Sequence, residues 1–143
     1  MAQVCACTTV AKAQRALTRF YEHEMLGSGM TITQFAIARA LLRNGPTTLS
    51  DLSAELVMER TSLYRTIRPM TERRWVRIDD TSRGRTKLAT LTGCGERAVD
   101  RAEPQWARAQ GVAVAAIGTR QWNVLANALL EIPDSLARAT SLR

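Results

Sequence analysis

Apolar residues recur at helical spacing in a short segment near the middle of the chain. Leu49, Leu52 and Leu56 fall on one face, as in an amphipathic helix that covers a core. Thr48 precedes this segment and Asp51 lies three residues further on. A hydroxyl here can accept the first free amide donors, and the carboxylate is favoured by the helix dipole. The pattern predicts a helix that begins near Leu49.

A second helix is predicted directly after a short break at Val57 and Met58. Leu63, Ile67 and Met70 repeat at helical spacing from about residue 59 onward, so they should pack inward. Two helices joined by so short a gap are typical of a helix-turn-helix.

The opposite face of this second helix is rich in long hydrogen-bond donors. Its residues recur at i, i+3, i+4 and i+7, and they are Thr61, Tyr64, Arg65 and Arg68. A helix fits the major groove of duplex DNA, where Arg can bind guanine with two hydrogen bonds and hydroxyls can reach bases or phosphates. The face therefore suits DNA recognition. Because Pro69 removes a backbone donor, we expect a bend or an early end there.

Two alternating segments after this helix predict a β-hairpin. Val76 and Ile78 alternate with charged residues, the stretch 80–85 is polar and turn-forming, and residues 89–91 resume the alternation. Three cations lie at or near the hairpin tip, namely Arg83, Arg85 and Lys87. Such cations can contact a phosphate or enter the minor groove, whose negative potential favours Arg. The order of elements is that of a winged helix-turn-helix.

Positive charge is concentrated in this region. The chain has 143 residues and a formal net charge of +7, and residues 59–87 hold nine Lys and Arg against four acids. An isolated cluster of arginines forms a plain solvated face about as often as it forms a binding site. Concentration of most of the net charge on one helix and one hairpin instead favours nucleic-acid binding.

Helical patterns flank the region on both sides. One helix is predicted around residues 10–21, and another from Thr31 or Thr33 to the break at Gly45 and Pro46. After the hairpin, Thr92 opens an Ala-rich helix that we expect Pro104 to interrupt, and a last helix follows residue 118.

The terminal helices carry more apolar surface than one small domain can easily cover. A single apolar stripe is more often ordinary core, but here both ends of the chain show one. Because large apolar patches on a soluble protein usually mark an interface, the pattern predicts a dimer.

The chain resembles the MarR family of bacterial transcriptional regulators from about Cys5 to Leu136. The resemblance rests on segments 31–35, 49–56, 59–65 and 91–92. It implies a single MarR-like domain over 1–143, mainly α within the α+β class. Within it, 31–92 would form the winged helix-turn-helix lobe, and 1–30 and 93–143 would be dimerisation helices.

The resemblance also implies a function. A homodimer would bind double-stranded DNA at a palindromic operator, with one recognition helix and one wing from each subunit. We expect a cytoplasmic transcriptional regulator, in particular a repressor released by a small effector. The residues expected at DNA are Thr48, Ser50, Arg60, Thr61, Ser62, Tyr64, Arg65, Arg68, Arg83, Arg85 and Lys87.

Two positions depart from the family pattern. The family's wing commonly reads Asp-x-x-Asp-x-Arg. Asp80 and Arg85 fit it, but Arg83 replaces the second acid, so we expect the usual acid-to-Arg brace to be missing. Arg74 replaces the glycine that usually ends the recognition helix, and Trp75 follows it.

Many relatives release DNA when a small aromatic or phenolic anion binds between the dimer helices and the DNA-binding lobe. The candidates by position are Arg15, Arg19, Phe20, His23 and Trp106. Each is equally well explained as core or as a solvated side chain.

The three cysteines, Cys5, Cys7 and Cys94, are an odd number, which favours free thiols over a disulfide framework. Together with His23 they could supply four zinc ligands, but their spacing is not a zinc pattern, so we expect no metal. Some family members sense oxidants with an N-terminal cysteine. A redox-sensing regulator that uses Cys5 or Cys7 is therefore an alternative.

Other classes of protein are disfavoured. The sequence has no phosphate-binding glycine loop, nucleophile elbow or paired acid and base motif, so we expect neither an enzyme nor a cofactor. Its apolar runs are too short to span a bilayer, and no signal-like segment begins it, so we expect no membrane partner. A protein-interaction or architectural DNA-binding module on the same scaffold is a second alternative.

Overall fold

The computed structural model describes residues 4–81 and 84–141. The helices are α1 (Ala6–Glu24), α2 (Ile32–Asn44), α3 (Leu49–Glu55), α4 (Arg60–Glu72), α5 (Gly93–Ile117) and α6 (Thr119–Ser141), with a 3₁₀ turn at Leu26–Ser28. The strands are β1 (Thr47–Thr48), β2 (Val76–Asp80) and β3 (Lys87–Leu91). The mainly helical fold with a winged helix-turn-helix is therefore confirmed. The chain divides into two compact units between Ala109 and Gln110.

The three strands form an antiparallel sheet in the order β1-β3-β2. Val76 pairs with Leu91 and Asp80 pairs with Lys87 at the two ends of the β2–β3 hairpin. The amide of Thr81 donates to the carbonyl of Thr86 at 2.9 Å and closes the turn. The predicted hairpin is confirmed, and Arg83 lies outside the described residues.

Hydroxyl caps start helices α2 and α3. The Thr31 side chain accepts from the amide of Gln34, and the Gln34 side chain accepts from the amide of Thr31. This capping box makes Thr31, not Thr33, the start of α2. Thr48 accepts from the amide of Asp51 in the same way and fixes the start of α3, as the sequence predicts.

Both helices of the helix-turn-helix end in a Schellman motif. After α3, the amides of Val57 and Met58 donate to the carbonyls of Ala54 and Ser53; after α4, those of Arg74 and Trp75 donate to Thr71 and Met70. The left-handed position is usually glycine, but here it holds Val57 (φ 50°) and Arg74 (φ 59°). Both turns therefore carry backbone strain.

Replacing Arg74 with Gly should raise the free energy of unfolding by about 1 kcal/mol, because glycine reaches positive φ without the Cβ clash. Arg74 is exposed, so little packing is lost. Urea unfolding measures the change, with Arg74→Ala as the control that removes the cation but keeps the Cβ. Equal stability of the two variants would refute the strain argument.

The predicted interruption at Pro104 is wrong, and of the bend or early end predicted at Pro69 the early end is wrong. Helix α4 continues through Pro69 to Glu72, and α5 continues through Pro104 to Ile117. Each proline deprives the carbonyl four residues earlier of its partner, and those carbonyls belong to Arg65 and Asp100, both of which are exposed. An unpaired carbonyl costs less on an exposed residue than in the core, which favours continuation of both helices.

The first compact unit contains the hydrophobic core. Residues from α2, α3 and α4 fill it, and α5 covers it with Ala98, Val99 and Ala102. The rings of Phe35 and Trp106 pack together with centroids 5.6 Å apart. The Arg39 guanidinium lies 4.7 Å from the Trp106 centroid and pairs with Glu103 at 3.4 Å. These contacts join α2 to the first half of α5.

The second compact unit contains the end of α5 and all of α6. Its exposed apolar residues are Val112, Val124, Leu125, Leu130, Ile132 and Leu136, and no described residue of α6 is buried. Helix α1 also has no buried residue. The predicted surplus of apolar surface on the terminal helices is confirmed for the single chain. None of the helices in the described residues combines the length and apolarity that crossing a membrane requires.

Candidate nucleic-acid interface

Helix α4 presents the face that the sequence predicts. Leu63, Ile67 and Met70 are at most 3% exposed and pack into the core. The opposite side is open to solvent and consists of Thr61, Tyr64, Arg65 and Arg68. These four residues line a groove that extends to Ile78 of β2. We call this surface the recognition groove.

The arginines along α4 differ in how far they are already paired. Arg68 donates from Nε to Oε1 of Glu72 at 3.2 Å, one helical turn away. This pair is exposed, so it contributes little stability and can be exchanged for a contact with DNA. Arg60 and Arg65 have no ion-pair partner within the described part of the chain.

A second concave surface lies between α3, α4 and the wing. Its volume is about 240 Å³, and its lining residues are Leu49, Ser50, Arg60, Tyr64, Arg85, Thr86 and Lys87. We call it the wing pocket. It brings five of the eleven predicted DNA-binding residues together, although they are up to 37 positions apart in sequence. Tyr64 lines both the wing pocket and the recognition groove.

The wing has an ion pair that sequence reasoning missed. Nζ of Lys87 lies 2.6 Å from Oδ1 of Asp80, and this hydrogen bond, together with the carboxylate charge, raises the pKa of Lys87. The two residues pair directly across the hairpin. The register of the hairpin would therefore have predicted this ion pair. Arg85 has no ion-pair partner among residues 4–81 and 84–141. The ion pair between Asp80 and Lys87 therefore connects β2 and β3 of the wing.

Thr48 and Ser62 have structural contacts of their own. The Thr48 hydroxyl accepts from the Asp51 amide and donates to Asp51 Oδ2 at 2.8 Å. Ser62 is exposed, and its carbonyl accepts from the Thr66 hydroxyl. Thr48 must exchange a cap hydrogen bond to bind DNA, whereas the Ser62 side chain is open to solvent. Their contacts with DNA stay predictions.

Four of the five candidate effector residues lie on α1, and the fifth, Trp106, lies on α5. Arg15 and Arg19 line a shallow surface formed by α1 residues alone. Phe20 packs edge-on against Tyr21 with centroids 5.8 Å apart, and the His23 side chain is 78% exposed. Trp106 packs on Phe35 in the core of the first unit. No cavity found among the described residues is lined by all five.

The cysteines are free thiols. Cys5 and Cys7 are exposed, and Cys94 is half-buried. Hydrogen bonds with Thr8 lower the pKa of the Cys5 thiol. Within the described ranges, no three His, Cys, Asp or Glu residues are grouped so that they could hold a metal ion.

Helices, wing and basic groove together define a winged helix-turn-helix DNA-binding protein. Residues 28–85 match the family model described as MarR family. The transcriptional regulator MosR of M. tuberculosis, solved in complex with DNA, is 29% identical with a TM-score of 0.84, over 95% of this chain and 98% of that one. Over residues 28–85 the chain is therefore similar to the MarR family, and its fold is that of a transcriptional regulator solved on DNA. The comparison with curated proteins finds no match.

Two further solved structures share the fold at lower identity. The Bordetella bronchiseptica regulator BpsR, whose DNA binding is regulated by 6-hydroxynicotinic acid, is 16% identical with a TM-score of 0.80, over 94% of this chain and 97% of that one. The Streptomyces coelicolor regulator PcaV, solved with its natural ligand, is 19% identical with a TM-score of 0.78, over 95% and 99%.

Proposed function

We propose that this chain is one subunit of a homodimeric, cytoplasmic repressor that binds a palindromic operator. The observation that carries the proposal is the recognition groove with the wing pocket directly beside it, because the two share Tyr64. A helix face that reads bases needs flanking cations that hold the DNA backbone. The DNA complex of MosR supports the same use of this fold.

The dimer is proposed from the exposed apolar side chains of the terminal helices. Leu130 is 76% exposed and Leu136 is 63% exposed on α6. Side chains of this kind are stabilised when a second subunit removes them from water. In this arrangement 1–30 and 93–143 form the dimerisation helices, and 31–92 forms the DNA-binding lobe. Twofold symmetry of the protein then requires twofold symmetry of the operator.

We also propose that a small aromatic or anionic effector releases the DNA. BpsR and PcaV, which share the fold, both respond to or bind small ligands. Such an effector acts only if it binds the DNA-incompetent conformation more tightly than the DNA-bound one. Arg15, Arg19, Phe20, His23 and Trp106 stay the candidates for its site.

Footprinting on the DNA that flanks the protein's own gene tests the function. We expect protection of one discrete palindrome at moderate salt, with random duplex bound far more weakly. Equal affinity for flanking and random DNA would instead favour the architectural alternative.

Replacing Arg65 with Ala should weaken operator binding by about 1–3 kcal/mol and relax the preference at one base position. Arg65 is exposed in the recognition groove and has no ion-pair partner in the described part of the chain, so it is available to bind a base edge. Affinities for a set of single-base operator variants measure the effect. Arg101→Ala, at an exposed position on α5, is the matched control. An unchanged base preference in Arg65→Ala would remove this role.

A redox-sensing regulator is the second candidate, because Cys5 is exposed and its pKa is lowered by Thr8. A lowered pKa increases the thiolate fraction that peroxide oxidises. Peroxide would convert the Cys5 thiolate to a sulfenic acid, and Cys7 would then displace water to form a disulfide. Two thiols would thus be oxidised as one peroxide molecule is reduced to water.

Mild peroxide should then weaken DNA binding, and a thiol reductant should restore it. The Cys5→Ser, Cys7→Ser double variant should lose this response, whereas Cys94→Ser should keep it. DNA-binding assays before and after oxidation measure both. A double variant that responds like the unmodified protein would rule out this switch.

A further inference from the structure

The wing pocket has the charge of an anion site. Arg60 and Arg85 line it, and neither has an ion-pair partner within residues 4–81 and 84–141. Its third cation, Lys87, is partly neutralised by Asp80, and no acid is among the lining residues. Two unpaired guanidinium groups that line one pocket repel each other unless an anion lies between them.

The remaining lining residues supply neutral hydrogen-bond donors. Ser50, Tyr64 and Thr86 contribute hydroxyl groups, and a hydroxyl can donate to an oxyanion. Leu49 is the one apolar lining residue, and it is itself buried. Guanidinium groups and hydroxyls together match the oxygens of a phosphate group.

The size of the wing pocket selects among anions. Its volume of about 240 Å³ lies below the range of roughly 300–1,000 Å³ typical of sites for drug-sized ligands. An aromatic effector with few apolar contacts would bind poorly here. A single compact oxyanion fits into this volume, and the guanidinium and hydroxyl groups of the lining can bind it.

The position of the wing pocket identifies the source of the anion. Tyr64 separates it from the recognition groove, where Arg65 and Thr61 lie. When α4 enters the major groove, the cations beside it face the phosphates that border that groove. A backbone phosphate in the wing pocket would fix how α4 is placed along the bases.

We propose that Ser50, Arg60, Tyr64 and Arg85 form a seat for one phosphate group, and that the DNA backbone supplies it. The inference rests on the proposed function, since DNA is the donor of the phosphate. It adds that Arg60 of α4 and Arg85 of the wing bind the same phosphate group and not two different phosphate groups.

The salt dependence of DNA binding tests this sharing. Neutralising one phosphate contributes about 0.9 to the slope of log K against log salt concentration. Because one guanidinium group still neutralises the shared phosphate, Arg60→Gln and Arg85→Gln should each lower the slope by well under one unit per subunit, whereas the double variant should lower it by about one unit. A double variant that lowers it by about two units per subunit would overturn the shared seat. Both side chains are exposed, and Arg101→Gln is the control for a general loss of charge.

Inorganic phosphate probes the seat without DNA. In ¹⁵N–¹H correlation spectra of the full chain, phosphate should cause saturable shifts at the amides of Ser50, Arg60 and Tyr64. Chloride at equal ionic strength should not. The shifts should disappear in the double variant and persist in Arg101→Gln. Equal shifts with chloride, or shifts confined to the other basic surface at Arg15 and Arg19, would refute the seat.

The two experiments separate this inference from the function itself. If flanking and random DNA bind equally, the regulator proposal fails, but the slope test is still valid because every duplex supplies phosphates. If a palindrome is protected while the slope of the double variant equals that of the unmodified protein, the seat fails and the regulator proposal stands. Phosphate binding without any slope change would overturn the backbone as the source.

Discussion

Replacing Phe35 with Ala should lower the free energy of unfolding by about 3–5 kcal/mol. Phe35 is 1% exposed, and its ring packs on Trp106 of α5. The truncation removes this apolar contact and leaves a cavity that the packed neighbours can fill only in part. It also takes away one of the two rings that contact the Arg39 guanidinium. The substitution should therefore loosen α2 and α5 together.

Urea unfolding followed by tryptophan fluorescence measures this effect. Leu42→Ala is the control on the same helix, because Leu42 is 50% exposed and loses much less burial. The Leu42 variant should lose much less free energy of unfolding than the Phe35 variant. Similar losses for both would show that the Phe35 contact contributes no more than a partly exposed leucine.

Replacing Gly95 with Ala should lower the free energy of unfolding by about 3 kcal/mol or more, because the new methyl group overlaps atoms that cannot move easily. A Cβ at this position would lie 2.2 Å from the carbonyl oxygen of Trp75 and 2.6 Å from Cδ1 of Leu91. The Trp75 oxygen also accepts from the amide of Thr92 at 2.9 Å. Relief of the overlap would have to break this connection between the residue that precedes β2 and the residue that follows β3.

Gly111 is the matched control for Gly95 in the same helix. A Cβ at Gly111 meets no atom within 4 Å, so Gly111→Ala should stabilise the protein by about 0.5–1 kcal/mol through helix propensity. Thermal or urea unfolding of both variants should therefore give changes of opposite sign. Stabilisation by both substitutions would contradict the close packing at Gly95.

Helix faces were predictable from sequence because they depend on periodicity alone. The inward positions Leu63, Ile67 and Met70 and the cap at Thr48 follow from spacing and side-chain chemistry, whereas the sequence left the start of α2 open between Thr31 and Thr33. These features depend on residues a few positions apart. Local sequence therefore determines most of the DNA-binding lobe.

The features that the sequence did not predict concern helix continuity, register and tertiary contacts. Pro69 was expected to bend or end α4 and Pro104 to interrupt α5, but both helices continue, and the residues whose carbonyls lose a partner, Arg65 and Asp100, are exposed. The pairing of Lys87 with Asp80 depends on the register that the turn imposes. The contact at Gly95 involves Trp75, which directly precedes β2, and Leu91 of β3. None of these is visible in periodicity.

The position of Tyr64 between the recognition groove and the wing pocket makes it a built-in reporter. The chain has two tyrosines, and the other, Tyr21, lies on α1 and packs edge-on against Phe20. Fluorine-labelled tyrosine would therefore give two resonances, of which one belongs to the surface that we propose faces DNA. A base contact and a backbone contact would change the surroundings of the same ring from opposite sides. A single spectrum could then follow both halves of the interface in an otherwise unmodified protein.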